Sequence, residues 1–386
     1  MPWTLTETQR IPTSGARAVE SFTVGGLELL AIPQLARDIP GDPPSMNGGD
    51  SDTELLLVRC SGGRFKPWST LPAPGGEDAE FFTIGDRSFL AVASIRTGSG
   101  PYEFATESRI FAWDEDRFVP FQSIATFAAK QWKHWCIGER HFLGLAQGVV
   151  RDGHEDRNLN SVVYEWDGSS FTEHQRIPSR WAYNWHAFWI GDTFFVAHAE
   201  HAGASVLYRW DGARLQPHQT LAAGAGRAFA TFDDGGTTYL VVACISAPVR
   251  VMRWNGERFT DAQMLDGLGA RELAVVRRDG RLLVVRINFI LGTPADPQPV
   301  LNSQIYEWDG GSLRVAARFP TCGGTDVAVL GGDRAGGDRP RDDQGRDDRP
   351  RDDRPGGIEL VVSNSLTPQL RFAAETVRYS LSLESR

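Results

Sequence analysis

Residues 164–178 read YEWDGSSFTEHQRIP, and residues 208–221 read YRWDGARLQPHQTL. Both run through a tryptophan, an Asp-Gly pair, an aromatic residue or leucine, and a glutamine two residues ahead of Ile or Leu. The same string recurs as MRWNGERFTDAQML at 252–265, YEWDGGSLRVAARF at 306–319, FAWDEDRFVPFQSI at 111–124 and VRCSGGRFKPWSTL at 58–71. The marker position falls on Cys60, Trp113, Trp166, Trp210, Trp254 and Trp308, at spacings of 53, 53, 44, 44 and 54 residues. The next candidate, Tyr379, lies 71 residues on, and removing the odd segment 331–357 returns the basic period of 44. Seven units follow from that agreement.

Each unit holds four strand-like runs. In the second unit they are AEFFTIG (79–85), SFLAVAS (88–94), ESRIFAW (107–113) and RFVPFQSI (117–124). β-Branched and aromatic residues dominate them, and Gly, Asp and Ser bound them. The Asp-Gly and Asn-Gly pairs supply the positive φ of a tight hairpin. Four antiparallel strands per unit, repeated seven times, predict an all-β, seven-bladed β-propeller. TLTETQRIP (4–12) matches a fourth strand, and the last strand-like run, ETVRYSLS (375–382), matches a third. The N-terminal strand is therefore expected to complete the last blade, leaving no open sheet edge. On this reading residues 1–386 are a single propeller domain. Segment 331–357, with seven Arg, eight Asp and little to bury, is expected to be a disordered loop inserted in blade 7.

The chain has 386 residues and a formal charge of −9, which argues against a nucleic-acid partner. No apolar run is long enough to predict a membrane-spanning helix. The opening MPWTLTETQRIPTSG shows no basic stretch followed by an apolar one, so a cytoplasmic location is expected. The four cysteines lie far apart and read as free thiols.

The pattern in 118–147 (FVPFQSIATFAAKQWKHWCIGERHFLGLAQ) and 171–199 (FTEHQRIPSRWAYNWHAFWIGDTFFVAHA) resembles the epitempin, or epilepsy-associated (EPTP/EAR), repeat. The resemblance covers nearly the whole chain and implies a seven-bladed propeller. Members of that family act as extracellular receptor-ligand and adhesion modules; the unpaired cysteines here depart from them.

Sites on propellers gather at one mouth of the central channel. Alignment on the aromatic-x-Ile-Gly signature puts Glu20, Glu80, Lys133, His186, Arg227, Glu272 and Asp326 near the start of the first strands. Such a ring is either a solvated rim or a functional one that holds a carboxyl group at a perturbed pKa. Trp132, His134, Trp135, Trp181, Tyr183, Trp185 and Trp189 concentrate in units 3 and 4. By alternation Trp181, Tyr183, Trp185 and Trp189 share one strand face, either as inter-blade packing or as an aromatic wall for a flat or cationic ligand. Loops between second and third strands are long in units 1, 2, 3 and 6 and short in 4 and 5, leaving a gap beside that wall. No nucleophile elbow, phosphate loop, paired-histidine zinc motif or CxxC is present, and no metal or cofactor is expected. Two functions follow. One is a binding propeller for a small molecule or protein partner. The other is a metal-independent cyclase, isomerase or lyase, in which Glu80, Glu20, Glu272 or Asp326 works as the acid with His186 and Lys133 as partners.

Overall fold

The computed structural model describes residues 3–150, 160–331, 333–334 and 357–383. Those residues fold into seven four-stranded antiparallel sheets. Blade 1 comprises Glu20–Val24, Leu27–Ile32, Glu54–Ser61 and Arg64–Pro72. Blade 2 comprises Gly76–Ile84, Arg87–Ser94, Ala105–Asp114 and Arg117–Phe127; blade 3, Gln131–Ile137, Arg140–Ala146, Asn160–Trp166 and Phe171–Pro178. Blade 4 holds Ala182–Ile190, Thr193–Glu200, Ser205–Trp210 and Leu215–Ala222; blade 5, Gly226–Asp234, Thr237–Cys244, Val249–Trp254 and Phe259–Leu265. Blade 6 is Ala270–Arg278, Arg281–Asn288, Val300–Trp308 and Leu313–Cys322, with Asp333–Arg334 added beside its first strand. Blade 7 is Gly324–Leu330, Ile358–Asn364 and Glu375–Leu383, completed by Trp3–Pro12. The first strands touch one another all the way round the ring. The expected disordered loop lies, from residue 335 to 356, outside the described residues.

Each junction between blades is an apolar cluster, formed because alternate side chains of one sheet face its two neighbours. Between blades 2 and 3, for example, Phe82, Phe89, Ile110, Trp132, Leu143 and Phe171 pack together. The repeat signature is the chemistry of these junctions. Its tryptophan reaches back to an aromatic of the preceding blade's second strand: Trp166 to Phe89, Trp210 to Phe142, Trp254 to Phe195 and Trp308 to Tyr239, with ring centroids 4.8–5.6 Å apart. Its glutamine reads the backbone of the next blade's fourth strand in both directions. Gln219 Nε2 donates to the Phe259 carbonyl and Gln219 Oε1 accepts from the Phe259 amide, both at 2.8 Å. Gln122, Gln175 and Gln263 do the same to Phe171, Leu215 and Leu313. Gln9, on the N-terminal strand, clamps Phe65 of blade 1 and so ties the closing blade to the opening one.

The Asp-Gly turn is longer than the sequence pattern suggests. Trp166 pairs with Phe171, so the loop has four residues, and Asp167 Oδ1 accepts from the amides of Ser169 and Ser170 while Gly168 takes a φ of 101°. Asp211, Asn255 and Asp309 repeat this Asx arrangement.

Gln219→Ala leaves a buried amide and carbonyl without partners, so chemical denaturation should show a loss of roughly 2–4 kcal/mol. Gln9→Ala should cost a similar amount at the closing junction. A loss within experimental error in both would remove the clamp from the account.

Candidate functional site

Strand register sorts the inner residues into levels. At the start of the first strand, five blades carry an irregularity: between Gly76 and Asp78, Ala182 and Trp185, Gly226 and Ala228, Ala270 and Glu272, and Gly324 and Asp326. A bulge adds a residue and re-aims its side chain. The residues at that step, with their counterparts in blades 1 and 3, form the mouth level: Arg17, Glu77, Lys130, Tyr183, Arg227, Arg271 and Thr325. Glu77 is 3% exposed and meets cations from three blades. Its Oε1 lies 3.1 Å from Arg17 Nη2 and 3.5 Å from Lys130 Nζ, and its Oε2 lies 3.4 Å from Arg271 Nη2. Arg271 belongs to blade 6 and Glu77 to blade 2, so this cluster bridges the channel. Burial raises the Glu77 carboxyl, but the three cations outweigh it and bring it down to about 2. The Arg227 guanidinium lies 3.8 Å from the centroid of the Tyr183 ring, and Lys130 and Arg271 approach the same ring. Burial alone would raise the Tyr183 phenol; Arg227, Lys130 and Arg271 bring it below its ordinary value.

The second level holds Asp78, Gln131, Asn184, Glu272 and Asp326. Three of these staple one blade to the next: Asp78 accepts from the Trp132 amide, Gln131 from the Trp185 amide, and Asp326 from the Val19 amide. Asn184 Nδ2 donates to Glu272 Oε2 at 2.8 Å, reaching from blade 4 to blade 6 past the small Ala228 of blade 5. Burial first, then Glu80, Asp326 and Glu20, raise Asp78 well above the carboxylate range, against the bond from Trp132. Burial and Asp326 raise Glu272 to about 8, despite its bonds from Leu273 and Asn184 and the charge of Arg271. The third level holds Glu20, Glu80, Lys133 and His186. Lys133 Nζ lies 3.5 Å from Glu80 Oε1, which also accepts from the His134 amide, and His186 Nε2 meets Thr231 Oγ1 at 3.0 Å.

The expected single ring is thus corrected to three levels. Arg227 sits at the mouth, Glu272 and Asp326 below it, and Glu20, Glu80, Lys133 and His186 lower still. Alignment on the strand's far end, where Ile-Gly marks the hairpin, counts correctly back to Glu80 but cannot see the bulge. Glu77 and Arg271 were missed for that reason, and Arg17 and Lys130 because they precede the first strands of blades 1 and 3, which start at Glu20 and Gln131.

The aromatic set divides as well, and the expectation of one shared face is corrected by the bulge before Trp185. Trp185 and Trp189 face blade 3 and pack with Trp135 and Phe142. Trp132, 0% exposed, lies between blades 2 and 3, where His134 stacks on Phe82 at 4.5 Å. Trp181 and Tyr183 go to the mouth, where both rings meet His201 edge-on. Glu200 holds that segment by accepting from the amides of Arg180, Trp181 and Ala202. Gly144 makes room for Trp135: a Cβ there would stand 2.6 Å from the Trp135 ring.

Above the mouth level lies an apolar roof of residues that follow the second strands. It includes Leu35, Ile95, Val149, Phe289, Ile290, Leu366 and Phe372, with Trp181 and Ile245 at its edge. The loops over blades 4 and 5 are the shortest, residues 201–204 and 245–248. Among the described residues no group of three or more His, Cys, Asp or Glu side chains could hold a metal ion.

Gly144→Ala should destabilise the protein by about 1–3 kcal/mol through overpacking against Trp135, read as a drop in unfolding midpoint; an unchanged midpoint would mean the ring gives way freely. Glu272 gives a pH signature. Below its ordinary value of 4.5 folded and unfolded chains both keep the proton; from there to about 8 the unfolded chain loses it first. Stability therefore falls as pH rises through that window and levels off above it. Glu272→Gln should flatten the fall in melting temperature between about pH 5 and pH 8, and a parallel profile would contradict the assignment.

The model of the EPTP domain matches residues 64–114, 117–167 and 170–211. Each match runs from the fourth strand of one blade through the third strand of the next, and the clamp of Gln122 on Phe171 and the contact of Trp166 with Phe89 join the second match to the third and the first. The human thrombospondin-type laminin G domain and EAR repeat-containing protein is 29% identical over 178 residues, 45% of this chain and 25% of that protein. Its mouse counterpart is 31% identical over 166 residues, 42% of this chain and 24% of the relative. The matched region thus spans about a quarter of the length of these relatives. Residues 64–211 of this chain thus match the EPTP, or EAR, repeat three times in succession, within a seven-bladed propeller.

Proposed function

We propose that this chain is a binding propeller whose ligand or partner engages the channel mouth, on the face where the second-to-third-strand loops gather. A partner-binding role is what the repeat family supports. The observation that carries the location is the mouth level itself. Four cationic side chains from blades 1, 3, 5 and 6 and a tyrosine from blade 4 converge there, beneath an apolar roof. Junction packing alone asks for apolar side chains, and charged groups drawn together from opposite sides of a channel are the mark of a recognition surface. A second reading, acid–base turnover by a metal-independent cyclase, isomerase or lyase entered through the same mouth, is favoured by Glu272, which bonds Asn184 one level below the mouth and is held at about 8.

The test is a thermal-shift screen of the full chain against a broad metabolite panel, repeated on Tyr183→Ala and on a deletion of residues 335–356. That deletion falls in sequence between the first and second strands of blade 7. Hits should vanish in the first variant and persist in the second, with both variants melting cooperatively. Hits that survive Tyr183→Ala would move the site off the mouth.

A further inference from the structure

We propose that the mouth takes up an organic anion, its carboxylate or phosphate group held among Arg227, Lys130, Arg17 and Arg271 and its apolar body against the roof. The inference rests on the mouth-binding reading and adds the sign and chemistry of the ligand.

Charge balance comes first. Arg17, Lys130 and Arg271 share one carboxylate, Glu77. Arg227 is 5% exposed. Its Nη1 donates to His201 Nδ1 and to the Gly226 carbonyl, both at 2.9 Å, and its Nε has no hydrogen-bond partner among the described residues. A ring nitrogen and a carbonyl orient a guanidinium without neutralising it. His201 adds no compensation of either sign: burial, Arg227 and Lys130 push it down to about 4, so it is neutral at physiological pH and accepts through Nδ1. Among the described residues the level therefore sets Arg17, Lys130, Arg227 and Arg271 against the carboxylate of Glu77 in a buried setting, where uncompensated charge is costly. An added anion supplies the missing negative charge.

Geometry agrees. The Tyr183 ring fixes the plane of the Arg227 guanidinium from one face at 3.8 Å. A planar guanidinium with an unpaired Nε is the fork that takes two oxygens of a carboxylate or phosphate. Phe289 lies 5.1 Å from Arg271 and 5.6 Å from Arg17, so the cationic cluster is continuous with apolar surface. Tyr183 and Arg227 also belong to blades 4 and 5, which carry the shortest loops, so the unpaired fork lies beneath the thinnest part of the roof.

The experiment titrates the full chain with phenylacetate, phenyl phosphate, inorganic phosphate and the uncharged phenylacetamide, by calorimetry and by thermal shift. At least one anion should bind and phenylacetamide should not. Arg227→Met should weaken that anion by at least about tenfold. Preference for phenylacetate would identify a carboxylate head group and preference for the phosphates a phosphate; either supports the site. Should Arg227→Met fold poorly, Arg227→Lys keeps the charge and loses the fork, and should still weaken binding several-fold. The proposal is overturned if no anion binds at millimolar concentration, or if anion binding is the same in wild type, Arg227→Lys and Lys130→Met. A neutral or cationic molecule whose binding disappears in Tyr183→Ala would overturn the anion and leave the mouth reading standing. Binding indifferent to every mouth variant would sink both.

Discussion

Everything in this molecule depends on a ring being shut by a strand from the other end of the chain. Trp3–Pro12 runs antiparallel to Glu375–Leu383, from Trp3 opposite Leu383 to Pro12 opposite Glu375. Without that pairing the third strand of blade 7 would present a bare edge, and the Gln9 clamp would not reach Phe65. The apolar cluster between blades 7 and 1, which includes Ile11, Val19, Leu30 and Val361, would open to water. Closure also sets the inner geometry. Seven first strands brought around one axis place side chains that are far apart in sequence within contact distance, as Glu77 and Arg271 are.

Crowding around an axis makes charge expensive, and the chain meets that cost differently at each level. At the second level Asp78 and Asp326 accept backbone amides across blade junctions, and burial holds Asp78 and Glu272 toward their protonated forms. Acids there act largely as mortar, supplying hydrogen bonds that sheets meeting edge to edge cannot make. At the mouth the charges have the opposite sign and only partial internal compensation. The channel therefore changes along its axis, from cations at the roofed end to carboxylates held toward their protonated forms below.

How much of this the sequence disclosed follows from what periodicity can carry. Blade number, strand order and closure were legible because the Trp, Asp-Gly and Gln positions recur, and each turns out to serve a junction or turn that every blade must make. Blades 1 and 6 depart from the pattern by placing Ser69 and Ala317 at the glutamine position. The site was less legible. Strict alternation put Trp181, Tyr183, Trp185 and Trp189 on one face, whereas one irregular step between Ala182 and Trp185 sends the first pair to the mouth and the second between blades. A bulge leaves no compositional mark in a single chain, because the extra residue is chosen by the channel it faces rather than by the strand it interrupts.

That last point bears on where function resides in a repeat protein. Junction positions are constrained by two neighbouring blades and converge on a common identity: tryptophan, glutamine, aromatic. Mouth positions answer to no neighbour in the same way, and here they read Arg17, Glu77, Lys130, Tyr183, Arg227, Arg271 and Thr325, five residue types over seven blades. A binding surface needs such asymmetry, since a ring of identical residues would present the same chemistry in every direction. The bulge lets each blade keep its packing and still contribute a private side chain to the shared mouth. Tyr183 and Arg227 illustrate the division: the strands beneath them pack as their neighbours do, while their own side chains stack on each other across the junction of blades 4 and 5.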